Sequence, residues 1–253
     1  MAALAERVIR APRTPEARWR EWLACRTVTL DELLPAQRRF VVIAPHPDDE
    51  VLACGGLLAL HAERGGDCAV IAVTDGDASH AGCAAWTPPA LAAVRREESA
   101  CGLSRLGVRR ESITRLALRD GEVRGSARAL RDALRALVHA QDLVVSTWRL
   151  DGHPDHDATG AVAAQICTDT GAQFIEAPVW MWHWAAPEDS TVPWSRLHAL
   201  ALPPAAAARK AAALAQHATQ LTPRDHSDGT CEGAVLDAAI LERAARSAEY
   251  FFI

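Results

Sequence analysis

Residues 40–50 read FVVIAPHPDDE and join a short apolar run to one imidazole and three carboxylates. The apolar run contains no polar side chain, which is typical of a strand that is buried on both faces of a sheet. The residues that follow it directly are His46, Asp48, Asp49 and Glu50. Ligands of open α/β sheets bind outside the carboxyl ends of the strands. This stretch therefore predicts an α/β fold with a chemical site at the end of its first regular strand.

From residue 40 to about residue 180, the chain alternates between strand-like and helix-like segments. The predicted strands lie at 40–44, 68–74, 113–118, 142–147 and 173–179, and the predicted helices at 49–64, 88–106, 126–140 and 157–170. Apolar strands joined by helical crossovers indicate a mostly parallel sheet that is covered by helices on both faces. No glycine-rich fingerprint follows the first strand, so a dinucleotide cofactor is not expected.

The first 38 residues do not share this alternation, because they are charged and interrupted by prolines. Trp19, Trp22 and Leu23 are spaced as on one face of a helix. We therefore expect a helical N-terminal extension over residues 1–38, packed by its tryptophans on a single main domain over 39–253. The later pattern predicts a strand at 197–202, an alanine-rich helix at about 204–219 and a final helix that ends in Tyr250-Phe251-Phe252.

Composition restricts the class of protein. The chain has 253 residues, a formal net charge of −5 and 49% hydrophobic residues, as is ordinary for a globular enzyme. Because it has no long basic block and no apolar run near the roughly 20 residues that span a bilayer, we expect neither a nucleic-acid partner nor a membrane partner. Seven cysteines without a C-x-x-C pair, and a charged N-terminus, predict a cytoplasmic protein with free thiols. Nothing in the sequence indicates an oligomeric state.

A second polar cluster follows another apolar run. Residues 151–157 read DGHPDHD and come shortly after the run at 143–145. His46 and Asp49, three residues apart across a strand-to-helix turn, can converge on one ion with His156, which opens the second helix. Histidine and carboxylate ligands suit Zn²⁺, and Fe²⁺ or Mn²⁺ also fits two histidines and one carboxylate. The two clusters therefore predict one divalent metal site.

The remaining residues of the clusters predict roles beside the metal. Asp48 lies within reach of a metal-activated water and is expected to act as the general base. His153, when protonated, is expected to stabilise an oxyanion or to protonate a leaving amine, with Asp155 or Asp151 orienting it. Glu50 is expected to support the site or the start of the helix. The alternative for the first cluster is a plain helix cap, but capping does not require histidines in two clusters.

The strings PHPDDE and WRLDGHPDH together resemble the PIG-L/LmbE family of zinc-dependent N-acetylglucosaminyl deacetylases. The similarity covers roughly residues 38 to 220. Further similar stretches are Thr74 to Asp77 (a T-x-G-E loop), Arg95 to Glu98 (R-x-x-E) and Lys210 to Gln220 (K-x-x-A-L-x-x-H-x-x-Q). The chain departs from the family at Asp77, where Glu is more frequent, and at Thr219, where Ser is more frequent. The first 38 residues and the tail beyond 222 have no clear counterpart.

The resemblance implies a Rossmann-like α/β fold and assigns roles to individual residues. It places zinc on His46, Asp49 and His156, and it makes Asp48 the base and His153 an electrostatic or acid group. It also implies a hydrolase that removes an N-acetyl group from an amino sugar or sugar conjugate, releasing acetate and a free amine. The alternatives are an amidase for a non-acetyl amide, such as a thiol conjugate, and a non-catalytic sugar-binding protein.

Several residues outside the two clusters are candidates for binding a small amino-sugar substrate. The alternating tryptophans at 180–184 are expected to be either core residues or the wall of a sugar pocket. Asp120 and Arg149 follow predicted strands, where they could bind hydroxyl groups or form surface ion pairs. The full set of candidates is Arg95, Asp120, Arg149, Trp182 and His183.

Overall fold

The structure is a computed structural model that describes residues 12–253, apart from residues 24, 25, 28, 36, 84 and 227. Residues 1–11, which hold most of the charged segment that argues against a secretory signal, and Cys25 lie outside the described residues. The six described cysteines are free thiols, and those at 54, 68 and 167 are buried.

The helices and strands follow the predicted alternation closely. The helices are α1 Glu16–Trp22, α2 Leu30–Leu33, α3 Asp49–Glu63, α4 Pro88–Leu106, α5 Ala127–Leu137, α6 Pro154–Thr170, α7 Met181–Trp184, α8 Pro204–Leu214, α9 Ala218–Leu221 and α10 Ala238–Ala244. The strands are β1 Arg26–Thr27, β2 Phe40–Ala44, β3 Cys68–Thr74, β4 Ile113–Leu118, β5 Leu143–Thr147, β6 Gln173–Ala177, β7 Leu197–Ala201, β8 Arg224–Asp225, β9 Cys231–Glu232 and β10 Ala248–Phe252. The strands predicted at 40–44, 68–74 and 113–118 are confirmed without change.

The main sheet has the strand order β1-β7-β10-β6-β5-β2-β3-β4. Strand β10 is antiparallel to both of its neighbours, and the other neighbouring pairs are parallel. The chain passes from β2 outward to β3 and β4, and then crosses to β5 on the other side of β2. The strand order therefore reverses between β2 and β5, which is where α/β sheets form their ligand crevice.

Helices cover both faces of the sheet, as the apolar strands predict. Along β2, Phe40 and Val42 belong to a core shared with α3 and α8, whereas Val41 and Ile43 belong to a core shared with α5 and α6. This alternation follows from the two-residue period of a strand. Within the residues described, no helix combines the length and the apolar character needed to cross a bilayer.

The predicted final helix is wrong over its last residues, which form strand β10. This strand pairs with β7 along its whole length, from Ala248 opposite Ala201 to Phe252 opposite Leu197. Phe251 is buried in the core beside α3, and Phe252 is buried in a tryptophan-rich core on the other side. Adjacent residues reach opposite cores in a strand but not in a helix, because only the strand alternates its side chains at every residue.

The N-terminal segment packs against the rest of the molecule through tryptophans. Trp19 of α1 is fully buried, and its ring lies 5.1 Å from that of Trp182 and 5.9 Å from that of Trp194. Strand β1 adds to the sheet by pairing with β7. The described part of residues 1–38 therefore contributes two short helices and an edge strand.

Candidate functional site

The two polar clusters meet at the point where the strand order reverses. The loop from β2 to α3 carries His46 and Asp48, and Asp49 is the first residue of α3. The loop from β5 to α6 carries His153, and His156 lies in the first turn of α6. Because β2 and β5 are parallel neighbours, these loops leave the sheet at the same edge. They line one cavity of about 250 Å³. The cavity is also lined by Leu52, Ala78, Ser79, Arg95, Asp120, Gly121, Trp180, Gln220, Val235 and Leu236.

Asp49 joins the two histidines of the expected metal site. Its Oδ2 atom lies 3.2 Å from Nδ1 of His46 and 3.2 Å from Nε2 of His156. The same oxygen accepts the backbone N–H of His46 at 2.9 Å, which fixes the turn between strand and helix. Donor atoms from both clusters therefore face one another across a few ångströms.

His156 is held in the orientation of a metal ligand. Its Nδ1 atom is 2.8 Å from Oδ2 of Asp151. The two oxygens of the same carboxylate also accept the backbone N–H groups of Val179, Trp180 and Met181 at 2.8–3.0 Å. In the neutral ring, these contacts place the proton on Nδ1 and leave Nε2 as the donor atom for a metal. Nε2 is buried and forms no hydrogen bond, although Oδ2 of Asp49 lies 3.2 Å from it. A histidine that donates one N–H to a carboxylate and directs its other nitrogen into a site is the usual arrangement of a metal ligand.

The electrostatics of the cluster favour a cation between the carboxylates. Burial alone would lower the pKa of His156, but the charges of Asp49 and Asp151 outweigh it and raise the pKa to about 9. Burial would likewise raise the pKa of Asp49, but His156 and His46 hold it well below its ordinary value. Positive charge is therefore stabilised at the point where the donor atoms converge, so the residues fit a divalent metal.

His46 lies close to further carboxylates. Its Nε2 atom is 3.2 Å from Oδ1 of Asp120 and 3.4 Å from Oδ2 of Asp155. Two sets of three donor atoms lie within 4.8 Å of one another, namely His46 with His153 and His156, and His46 with Asp120 and Asp155; Asp49 belongs to neither set. His46 therefore belongs to each arrangement that the geometry offers.

Asp48 occupies a strained backbone position beside the donor atoms. Its φ angle is +127°, a region that residues other than glycine rarely adopt and that clusters at functional sites. Glu50 supports this conformation, because its Oε2 accepts the backbone N–H of Asp48 at 3.0 Å and its Oε1 accepts the hydroxyl of Ser99 at 2.7 Å. Glu50 thus supports the site through the backbone.

The carboxylate of Asp48 is buried beside groups of both charges. Arg95 and Gln220 contact its Oδ2 at 3.4 and 3.2 Å. Burial raises the pKa of Asp48 to about 7, with Asp49 and Glu50 adding to the rise and Arg95 opposing it. A pKa near the operating pH suits a group that accepts a proton and releases it again.

His153 is neutral in this arrangement, in contrast to the protonated form expected from the sequence. Burial lowers its pKa to about 3, together with the charges of His156 and His46. Its Nδ1 accepts the backbone N–H of Asp155 at 3.2 Å, so the ring proton lies on Nε2. Neither expected carboxylate orients this ring. The Asp151 carboxylate contacts the ring of His156, and the Asp155 carboxylate accepts the backbone N–H groups of the 121–123 turn.

The substrate-binding candidates separate into two groups. Asp120 and Arg95 line the cavity, although Arg95 is buried and donates to the carbonyl oxygens of Gly76 and Pro47 at 2.6 and 2.7 Å. Arg149 instead forms a paired contact with Glu176 at 2.7 and 2.9 Å. The structure therefore keeps Arg149 away from the donor atoms of the cavity.

The last two candidates, Trp182 and His183, are buried away from the cavity. Trp182 belongs to the tryptophan-rich core, and His183 accepts a hydrogen bond from Arg243. Trp180 faces the cavity instead, with its ring 6.3 Å from that of His153 and nearly parallel to it. Sequence reasoning gave no role to Gln220, although it ends the K-x-x-A-L-x-x-H-x-x-Q stretch. Nothing in the sequence indicated that Leu236 lines the cavity.

Comparison with known proteins identifies a matching family and several similar proteins. The family model described as PIG-L, GlcNAc-PI de-N-acetylase, matches residues 41–167. The 1D-myo-inositol 2-acetamido-2-deoxy-alpha-D-glucopyranoside deacetylase of Rhodococcus jostii is 32% identical over 146 residues, which are 48% of this chain and 50% of that protein. The chain thus spans about half the length of the curated relative that it matches.

Two solved structures resemble the fold. The N,N'-diacetylchitobiose deacetylase of Pyrococcus horikoshii superposes with a TM-score of 0.53 and 22% identity, over 75% of this chain and 73% of that chain. The A40926 pseudoaglycone deacetylase Dbv21 superposes with a TM-score of 0.64 and 23% identity, over 85% and 96% of the two chains. At these identities the likeness concerns the fold, which is the expected Rossmann-like α/β arrangement.

Proposed function

Because the chain belongs to the PIG-L family of GlcNAc-PI de-N-acetylases, we propose that it is a metal-dependent hydrolase that removes an N-acetyl group from an amino sugar or sugar conjugate. The observation that carries the proposal is the position of Asp49 Oδ2, which lies 3.2 Å from a nitrogen of both His46 and His156. The relative from Rhodococcus is named for deacetylating an acetamido sugar, which supports the same class of substrate.

In this proposal His46, Asp49 and His156 hold the ion. Zn²⁺ suits their nitrogen and oxygen donors, and Fe²⁺ or Mn²⁺ is compatible with the same set. When bound, the ion supplies positive charge that polarises an amide carbonyl and acidifies the attacking water. Asp151 keeps the ring proton of His156 on Nδ1, so that Nε2 stays available as a donor atom.

Asp48 moves the proton in this scheme. Arg95 and Gln220 both contact its Oδ2, so we assign proton uptake from water to Oδ1. As the water oxygen bonds to the acetyl carbon, the carbonyl oxygen gains negative charge, and the Nε2–H of His153 donates a hydrogen bond to it. The C–N bond then breaks, and the proton held by Asp48 passes to the departing nitrogen. The products are acetate and a free amine.

The other walls of the cavity suit a sugar. Trp180 presents an indole ring beside His153, and aromatic faces pack well on the apolar face of a pyranose. Asp120 lines the cavity, and a carboxylate there can accept hydrogen bonds from sugar hydroxyls. The substrate is thus proposed to be a small molecule.

A cytoplasmic location stays a prediction from the sequence.

The test is a panel of N-acetylated sugars and sugar conjugates, with acetate and free amine measured in the same reaction. We expect equal amounts of both products, and no products after treatment with a chelator that removes the metal. Release of a larger acid from a non-acetyl amide, with no acetate from any acetylated sugar, would instead identify an amidase. Binding of sugars without either product would contradict the proposed hydrolysis.

A further inference from the structure

Helix α3 is broken shortly after the metal ligand that begins it. Cys54 has φ −151° and ψ 27°, which are not helical values. Gly56 and Leu57 donate their backbone N–H groups to the carboxylate of Glu249, at 2.7 Å to Oε1 and 2.9 Å to Oε2. The carbonyl oxygen of Leu52, which would accept from Gly56 in an unbroken helix, accepts from Nζ of Lys210 at 3.1 Å. Two side chains therefore replace backbone bonds at the break.

The two inserted side chains form a buried ion pair. Nζ of Lys210 lies 2.7 Å from Oε1 of Glu249, and the side chains are 6% and 1% exposed. Lys210 comes from α8 and Glu249 from β10, so the pair connects α3 to two distant elements. Burying two charges is costly, and a pair of this kind often contributes no net stability. Its contacts with three backbone groups of α3 point to a role in fixing geometry.

The glycines at the break permit this close approach. A Cβ atom at Gly56 would lie 2.5 Å from the side chain of Leu202, and one at Gly55 would lie 3.2 Å from Cγ of Lys210. A side chain at position 56 would push the break away from the segment that leads into α8. The sequence is therefore suited to hold Lys210 and Glu249 against the broken turn.

The segment ahead of the break carries the groups of the site. Residues 49–53 begin with Asp49, and Leu52 lines the cavity. A segment of five residues is too short to be a stable helix alone, because helix nucleation is costly. At its start the segment is held by the bond from the backbone of His46 to Asp49. At its end it is held by Lys210 through the carbonyl oxygen of Leu52.

We propose that the ion pair of Lys210 and Glu249 is a positioning device for the metal site. It fixes the direction of the short segment 49–53, and so keeps Oδ2 of Asp49 between His46 and His156. This inference rests on the proposed function, because it takes Asp49 as a metal ligand. Lys210 and Glu249 touch neither substrate nor metal in this account.

The test compares the affinity for Zn²⁺ of full-length wild-type protein and two variants, by competition with a chromogenic chelator. Glu249→Gln keeps the side-chain shape but removes the charge, and it can accept through only one oxygen. We expect its affinity to fall by about tenfold, as for other residues that orient metal ligands. The matched control is Glu16→Gln, which breaks the other buried pair beside β10, where Glu16 meets Arg246 at 2.6 and 2.8 Å.

The control separates positioning from a general loss of stability. Both variants leave a buried cation unpaired, so both should unfold at lower temperature, whereas only Glu249→Gln should lose metal affinity. Equal affinity of Glu249→Gln and wild type, or an equal loss in Glu16→Gln, would overturn the inference. A wild-type protein that binds no Zn²⁺ would contradict the proposed metal site itself, so the two failures are distinguishable.

A second measurement uses metal-free protein, and its first part needs only the wild type. Amide hydrogen exchange of wild type should show Gly56 and Leu57 protected, because both donate to a buried carboxylate. In Glu249→Gln the amide that loses its acceptor oxygen should exchange about tenfold faster. Unprotected Gly56 and Leu57 amides in wild type would show that the break is not held by Glu249.

Discussion

Asp151→Asn should weaken metal binding although Asp151 is not a proposed ligand. The Asp151 carboxylate accepts from Val179 and Met181 at Oδ1, and from Trp180 and His156 at Oδ2. Asparagine retains only one oxygen. We expect that oxygen to replace Oδ1, where both donors are backbone N–H groups that cannot move their protons, so the amide NH₂ faces the two donors at Oδ2. His156 can then relieve the conflict only by moving its ring proton from Nδ1 to Nε2, which blocks the atom that is proposed to bind the metal.

The magnitude follows from this change of tautomer. Loss of a residue that orients a metal-bound histidine typically lowers metal affinity by about 10- to 100-fold. This corresponds to about 1.4 to 2.7 kcal/mol of binding free energy. The lost hydrogen bonds to a charged group should also lower the free energy of unfolding of metal-free protein by about 1.5 to 3 kcal/mol.

The assay is Zn²⁺ affinity together with urea denaturation of the metal-free form. The control is Asp142→Asn, because Asp142 is equally buried at the opposite end of β5 and pairs with Arg39 at 2.6 and 2.9 Å. Asp142→Asn should lower stability but leave metal affinity within about twofold. If Asp151→Asn binds Zn²⁺ as tightly as wild type does, the account of the His156 tautomer is refuted.

The other predictions concern metal removal, pH and the aromatic wall. Metal-free protein should have a lower free energy of unfolding than protein in Zn²⁺, by about 2.7 kcal/mol if free Zn²⁺ is 100 times its Kd. An unchanged melting temperature after chelation would count against the site. His217 is buried with both ring nitrogens unpaired, and burial followed by the charge of Arg95 lowers its pKa to about 3. Above the ordinary histidine pKa of 6.5, His217 is neutral in both the folded and the unfolded chain. Below that pH, the unfolded chain takes up a proton at His217 that the folded chain does not. Between pH 7 and pH 5 wild type should therefore lose about 2 kcal/mol more stability than His217→Met, measured by urea denaturation; parallel pH curves would refute this. Trp180→Ala should raise KM for an N-acetylated sugar substrate about tenfold or more with a smaller change in kcat, as expected for lost stacking; an unaffected KM would remove Trp180 from the proposed sugar wall.

Local patterns predicted the strands and the site because both are encoded over a few residues. The apolar runs that form β2 and β5 each precede one polar cluster, and the parallel pairing of these strands brings His46 and His156 together. Asp151 was considered only as a partner of His153, with Asp155 as the alternative, whereas its carboxylate contacts His156. The choice depends on the backbone N–H groups of residues 179–181, which come from a different part of the chain.

Features that depend on distant contacts were not predictable from the sequence. The strand at Phe251 and Phe252 requires β7 as its partner, and helix propensity gives no sign of that pairing. Trp180 faces the cavity whereas Trp182 is buried, because the short helix α7 turns the chain between them. Lys210 and Glu249 lie 39 residues apart, so only the folded chain shows that they meet at the break in α3.

The central claim is that Asp49 holds a metal and Asp48 moves a proton. It is tested most directly by measuring bound metal and acetate release for wild type, Asp48→Asn and Asp49→Asn. Asparagine keeps the side-chain shape of the aspartate that already holds the positive φ angle of position 48. We predict one bound metal per chain and acetate release in wild type, metal without turnover in Asp48→Asn, and neither in Asp49→Asn. Full turnover in Asp48→Asn, or tight metal binding in Asp49→Asn, would contradict the account.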